Sequence, residues 1–127
     1  MLYEAVGAGT VPEVAARLAE AVKANHFGIQ GTIDLQAKLA DKGVELQPAC
    51  LIVEVCNPVL AQRVLSQEIS MATMLPCRIA IYEKGGQVCV STVRPTALLA
   101  LVSSDGLGTV VRELEDAMLR IIDATCA

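Results

Sequence analysis

The sequence predicts a single domain that combines β-strands with α-helices. The chain has 127 residues, which is the size of one domain, and such a domain buries roughly two thirds of its unfolded surface. Short apolar segments alternate with longer segments whose apolar residues recur at helical spacing. Hydrophobic residues make up 54% of the chain but aromatic residues only 2%, so Val, Leu, Ile and Ala must form the core.

The predicted elements follow one another along the whole chain. Strands are expected at Leu2 to Val6, Phe27 to Ile33, and residues 50–56, 78–83 and 88–93. Helices are expected from Thr10 to about Asn25, from Asp34 to Lys42, from Pro58 to about Gln67, from Pro95 to about Val102, and from about Thr109 to Ala124. Residues 69–77 are predicted to be a loop, and residues 103–108 a turn.

The strand at residues 50–56 carries most of the candidate chemistry. Alternation places Leu51, Val53 and Val55 on the core face. The opposite face carries Cys50, Ile52, Glu54 and Cys56. Asn57 reads as the N-cap of the next helix and Pro58 as its first residue.

The cysteine before this helix is the first candidate for a reactive group. Cys56 lies where free backbone N–H groups and the positive end of a helix dipole are expected to meet, which lowers the pKa of a thiol. The first functional hypothesis is therefore a thiol site that handles sulfur, redox equivalents or a soft metal. Its candidate catalytic residues are Cys56, Cys77, Glu54 and Arg94.

The predicted hairpin over residues 78–93 explains the choice of Arg94. If Gly85-Gly86 is a two-residue turn, one face carries Ile79, Ile81, Val88, Val90 and Thr92. Cys77 then lies opposite Arg94, whose positive charge would lower the pKa of the thiol.

A soft-metal site is one form of this hypothesis. Met71, Met74 and Cys77 recur at intervals of three, and with Cys56 they offer sulfur ligands of the kind that select Cu(I). Alternatively, the methionines fill irregular gaps in a core. His26 is the single histidine, so a histidine-rich metal site is excluded.

The second functional hypothesis is a ligand-binding or interaction module without catalysis. It would use the sheet face that the helices leave uncovered, where Ile52, Ala80 and Tyr82 are expected. A homodimer formed through this face is the expected partner arrangement. An enzyme with paired carboxylates ranks third, because Glu54 is the one acidic residue among the cysteines.

Composition and charge exclude several other classes. The net charge is −4 with a pI near 4.9, and the Lys and Arg residues are scattered, which disfavours nucleic-acid binding. No apolar run approaches the ~20 residues that cross a bilayer, so a cytoplasmic protein is expected. Five cysteines without a C-x-x-C pair support neither a disulfide framework nor a zinc finger. Without a phosphate-binding glycine loop, no resident cofactor is expected.

Several short motifs, in order, cover essentially the whole chain. They are Phe27-Gly28, the run Thr32-Ile33-Asp34-Leu35-Gln36-Ala37, the run Glu54-Val55-Cys56-Asn57-Pro58, Leu75-Pro76-Cys77 and Ile81-Tyr82-Glu83. On these motifs the chain resembles the bacterial and archaeal family called domain of unknown function 302. The resemblance implies an α+β fold of the β-α-β(4)-α type, similar to the TATA-binding-protein-like arrangement. Helices would cover one face of a curved, mainly antiparallel sheet, in a homodimer, and no activity is implied.

Overall fold

A computed structural model describes residues 1–102 and 106–127 of the chain. Within these residues, one antiparallel sheet of five strands has the order β1-β5-β4-β3-β2. The strands are β1 (Leu2–Gly7), β2 (Gly28–Asp34), β3 (Cys50–Cys56), β4 (Cys77–Lys84) and β5 (Gln87–Val93). The helices are α1 (Val11–Ala24), α2 (Leu35–Ala40), α3 (Pro58–Gln67), α4 (Pro95–Leu99) and α5 (Gly108–Cys126), with a 3-10 helix at Ile69–Thr73.

The helices and the sheet form two layers around one apolar core. The apolar stripes of α1 and α5 pack against each other and against one face of the sheet. From the sheet, Val53, Val55, Ile79, Ile81 and Val90 are buried beneath them. This confirms the expected α+β class, a curved sheet with helices on one face.

The opposite face of the sheet carries apolar side chains that stay exposed. Leu2, Val6 and Val93 have exposed fractions of 58%, 49% and 40%. Ile52 lies directly opposite Ala80 on this face, as expected from the alternation along β3. We call this surface the open face.

Local sequence signals explain where individual elements begin. The Thr10 hydroxyl accepts the N–H of Glu13, and the Glu13 carboxylate accepts the N–H of Thr10, so the two residues form a capping box at the start of α1. Gly85 and Gly86 have φ angles of 59° and 76°, which a two-residue turn of this kind requires and glycine adopts without a steric penalty.

Two predicted elements differ in detail. Residues 69–77 were expected to be a loop, but five of them form the 3-10 helix, which packs against α3. Helix α4 ends at Leu99, before the expected Val102. The turn expected over residues 103–108 includes residues 103–105, which lie outside the described part of the chain. No helix within the described ranges combines the length and apolar character needed to span a membrane.

Candidate functional site

Strands β4 and β5 are paired at one end only. Their ladder runs from Lys84–Gln87, beside the turn, to Ala80–Ser91, although β4 begins three residues earlier, at Cys77. Past the ladder, the Thr92 hydroxyl donates a hydrogen bond of 2.7 Å to the carbonyl oxygen of Arg78. A side chain thus replaces the backbone ladder, and the strands splay apart.

A cavity of about 340 Å³ lies at this splayed end. Its walls come from α3, the 3-10 helix with the loop that follows, α4, α5, and the ends of the strands. Most of its lining is apolar and includes Val64, Leu75, Pro76, Leu98, Val111 and Leu114. The volume falls within the range of about 300–1,000 Å³ that is usual for ligand pockets.

The wall formed by α4 is fixed to α5 through one carboxylate. Glu115 on α5 accepts hydrogen bonds from the backbone N–H of Thr96 at 3.1 Å and from its hydroxyl at 2.6 Å. The guanidinium of Arg94 lies 3.7 Å from the same carboxylate. Because the Glu115 side chain is only 12% exposed, these charge-assisted bonds are shielded from water and hold α4 in place.

Three of the predicted sulfur ligands line this cavity together: Met71, Met74 and Cys77. The N–H of Met74 bonds to the carbonyl oxygen of Met71 at 2.9 Å, which closes one 3-10 turn, and in such a turn side chains three residues apart lie above one another. Cys77 pairs with Val55, and so lies on the core face of β4. The other predicted ligand, Cys56, is not part of the lining.

The expected lowering of the Cys77 pKa by Arg94 is wrong. Burial, with a smaller contribution from negative charge on Cys56, raises the pKa of the Cys77 thiol to about 12. Arg94 instead pairs with Glu115 and lies over the ring of Tyr3, with Cζ 5.2 Å from the ring centroid. Cys77 is therefore a neutral thiol at physiological pH.

The pKa of Cys56 also moves in the direction opposite to the prediction. Burial raises it above the ordinary value. One of the helix N–H groups is already occupied, because the Asn57 side chain accepts the N–H of Leu60 at 3.0 Å. Cys56 directly follows Val55, which pairs with Cys77, so the two cysteines are near each other in the sheet, a relation that the strand periodicity left open.

The remaining predicted residues are held by partners of their own. Glu54 lies at the rim of the cavity, with its carboxylate 3.9 Å from the guanidinium of Arg78. On the open face, the Tyr82 hydroxyl donates to Glu4 and accepts from Ser91 at 3.1 Å. His26 ends α1 with a φ of 62°.

Sequence reasoning missed Thr92, Leu98 and Arg78 as parts of the site. One available signal was Thr92 itself, a hydroxyl on the core face of an otherwise apolar strand, since buried hydroxyl groups need hydrogen-bond partners. Nothing in the periodicity marked Leu98, because its place in the wall depends on how α4 docks. The described residues contain no group of three His, Cys, Asp or Glu side chains able to hold a metal ion.

Comparison with known proteins places the chain in a family. The model of the domain of unknown function DUF302 matches residues 4–125. The chain is also similar to a crystal structure of an uncharacterized conserved DUF302 protein from Bacillus stearothermophilus, with 27% identity and a TM-score of 0.94. That match covers 99% of this chain and 98% of the other. No curated protein matches. The chain therefore belongs to the DUF302 family, whose function is unknown.

Proposed function

We propose that this protein binds a small, largely apolar molecule in the cavity at the splayed end of β4 and β5, without catalysing a reaction. The observation that carries the proposal is the cavity of about 340 Å³ with a mostly apolar lining. No buried side-chain nitrogen or oxygen among the described residues lacks a hydrogen-bond partner. A bound molecule therefore needs few hydrogen-bonding groups of its own inside the site.

Size and charge narrow the class of ligand. A cavity of about 150 Å³ holds benzene, so the volume here suits a fused bicyclic molecule. Arg78 and Glu54, two charged residues of the lining, are compatible with a ligand that carries one polar substituent. An aromatic alcohol such as 1-naphthol matches these features and is a suitable probe.

The first experiment follows the methionine methyl groups by NMR. With ¹³C-labelled ε-methyl groups, 1-naphthol should shift the signals of Met71 and Met74 in a saturable way. Met118 is fully buried in the core and outside the lining, so its signal should not move. Equal small shifts at all methionines, or none up to the solubility limit of the probe, would sink the proposal.

A matched pair of variants tests the location. Leu98→Trp should fill the cavity and weaken 1-naphthol binding by about tenfold or more, which is about 1.4 kcal/mol. The control is Leu101→Trp, because Leu101 is 77% exposed and outside the lining. The location is refuted if both substitutions have the same effect.

Thiol chemistry at Cys56 is the second candidate function, favoured by the position of Cys56 next to Val55, the strand partner of Cys77. A reducing compartment such as the cytoplasm suits it, because all five cysteines are free. Alkylation of each cysteine in the native protein, measured by mass spectrometry against pH, tests this function. If Cys56 acts as a thiolate, its alkylation must show an apparent pKa below ~8.5. If Cys56 does not react until the protein unfolds, this candidate function is refuted.

A homodimer formed through the open face completes the proposal. The exposed Leu2, Val6 and Val93 give this face an apolar character, and such surfaces commonly pack against a second copy. Sedimentation over a range of concentrations should show a dimer that Val6→Glu disrupts. A monomer at every concentration would contradict it.

A further inference from the structure

The cavity lining contains three sulfur-bearing side chains, Met71, Met74 and Cys77, which we call the sulfur cluster. We propose that the sulfur cluster binds Cu(I), with the two thioethers and the Cys77 thiolate as ligands. Soft thioether and thiolate ligands select Cu(I). A bound ion would be held by bonds to the sulfur atoms, whereas the apolar molecule proposed above would be held by the shape and volume of the cavity. The two kinds of binding are therefore separate.

The local backbone brings the donors of the sulfur cluster to one wall. Met71 and Met74 are joined by the backbone hydrogen bond of one 3-10 turn, and residues three apart in such a turn share a direction. Only 5% of Met71 is exposed, so its thioether is held inside. Arg78 in the lining is 71% exposed, so this side of the cavity lies at the surface of the protein.

The other groups in the lining disfavour harder metal ions. Mg²⁺ and Ca²⁺ require oxygen ligands, but Glu54, the one carboxylate that the described residues contribute to the lining, is paired with Arg78. Zn²⁺ takes thiolate, imidazole or carboxylate ligands, and the described part of the chain contains no group of three such side chains. Thioethers, which these ions use little, are the donors available here.

The binding step exchanges a proton for the metal ion. Cys77 begins as a neutral thiol with a pKa of about 12. Its S–H bond breaks, the proton passes to solvent, and a sulfur–copper bond forms; copper remains Cu(I) and the cysteine is not oxidised. One positive ion with one thiolate makes an uncharged centre, which an apolar cavity accommodates at less cost than a net charge.

The experiment measures Cu(I) affinity by competition with the chelator bicinchoninate, under anaerobic conditions. The parent protein for this test carries Cys50→Ser, Cys56→Ser and Cys126→Ser, because these half-buried thiols outside the sulfur cluster would also bind copper. One equivalent of Cu(I) should shift the ε-methyl NMR signals of Met71 and Met74 and leave that of Met118 in place.

Substitutions in the sulfur cluster test whether its side chains are the Cu(I) ligands. Met71→Leu and Met74→Leu nearly conserve volume, and each should lower the Cu(I) affinity by about 100-fold or more; Cys77→Ala should lower it at least as much. Met118→Leu in the core is the control and should leave the affinity unchanged. Equal affinity in the parent and both methionine variants would overturn the copper site. If 1-naphthol still binds in that case, the proposed function survives without it.

Discussion

The two ends of the β4–β5 pair are closed in different ways. At one end Gly85 and Gly86 form the turn and the backbone ladder is regular. At the other end the ladder stops at Ala80–Ser91, and a bond from the Thr92 side chain takes over. Backbone hydrogen bonds close the end at the turn, which we call the closed end, whereas α4 and the segment after α3 surround the splayed end. The cavity thus lies at the end where a side chain and neighbouring elements have replaced the ladder.

The largest expected contrast is between the core at the closed end and the cavity wall. Ile81 is fully buried opposite Val90, so Ile81→Ala should lower the free energy of unfolding by about 2–5 kcal/mol. Leu98 is half-buried beside existing space, and Leu98→Ala should cost only about 1 kcal/mol. Urea unfolding measures both changes in the free energy of unfolding, provided that the m-values of the variants are unchanged. Equal costs would mean that the splayed end is packed as tightly as the closed end.

A smaller effect is expected from the bond that replaces the ladder. Thr92→Val keeps the shape of the side chain but leaves the Arg78 carbonyl without its donor, which should cost about 1–3 kcal/mol. The matched control is Thr32→Val, because Thr32 is exposed on β2 and should tolerate the change. If the two substitutions have the same effect on the free energy of unfolding, the Thr92 bond does not hold the splayed end together.

The smallest effect, when it is measured over the single unit between pH 9 and pH 10, concerns alkaline conditions. Because the folded state raises the pKa of Cys77 from the ordinary 9.0 to about 12, the thiol stabilises the fold below pH 9, and this contribution is lost as the pH rises toward 12. Between pH 9 and 10 the loss should approach about 1.4 kcal/mol per unit. Cys77→Ala should remove that slope, while the tyrosine and lysine titrations cancel in the difference. Parallel pH profiles of the two proteins would contradict the burial of the thiol.

The predictions from sequence were correct at the closed end of the β4–β5 pair and failed at the splayed end. The closed end depends on neighbouring residues, because a Gly-Gly turn joins two alternating strands. The predicted Gly85-Gly86 turn, with Ile81 and Val90 on one face, is confirmed. The strand before Asn57 and the helix after it were also predicted, since capping acts within a few residues. These are local signals, and local signals can be read from the order of residues.

The splayed end and its chemistry depend on distant elements. Periodicity places Cys77 on a face but says nothing about α4, which draws Arg94 to Glu115 and away from the thiol. The raised pKa values of Cys56 and Cys77 follow from burial by other segments. The sequence indicated only the nearby helix end and the nearby charge, which would have lowered these pKa values. The cavity itself was not predicted, although three of its sulfur-bearing residues were named as a group.

The pairing of β1 with β5 also has a consequence for how the protein folds. Leu2 pairs with Val93, about 90 residues later, and the Tyr3 hydroxyl donates to Asp123, 120 residues away. At ordinary rates of translation, β1 waits roughly 5–20 seconds for its partner strand. Contacts between such distant residues also slow the search for the native state. Throughout that interval the backbone N–H and C=O groups of β1 have no partner strand, which leaves this strand open to pairing with other chains.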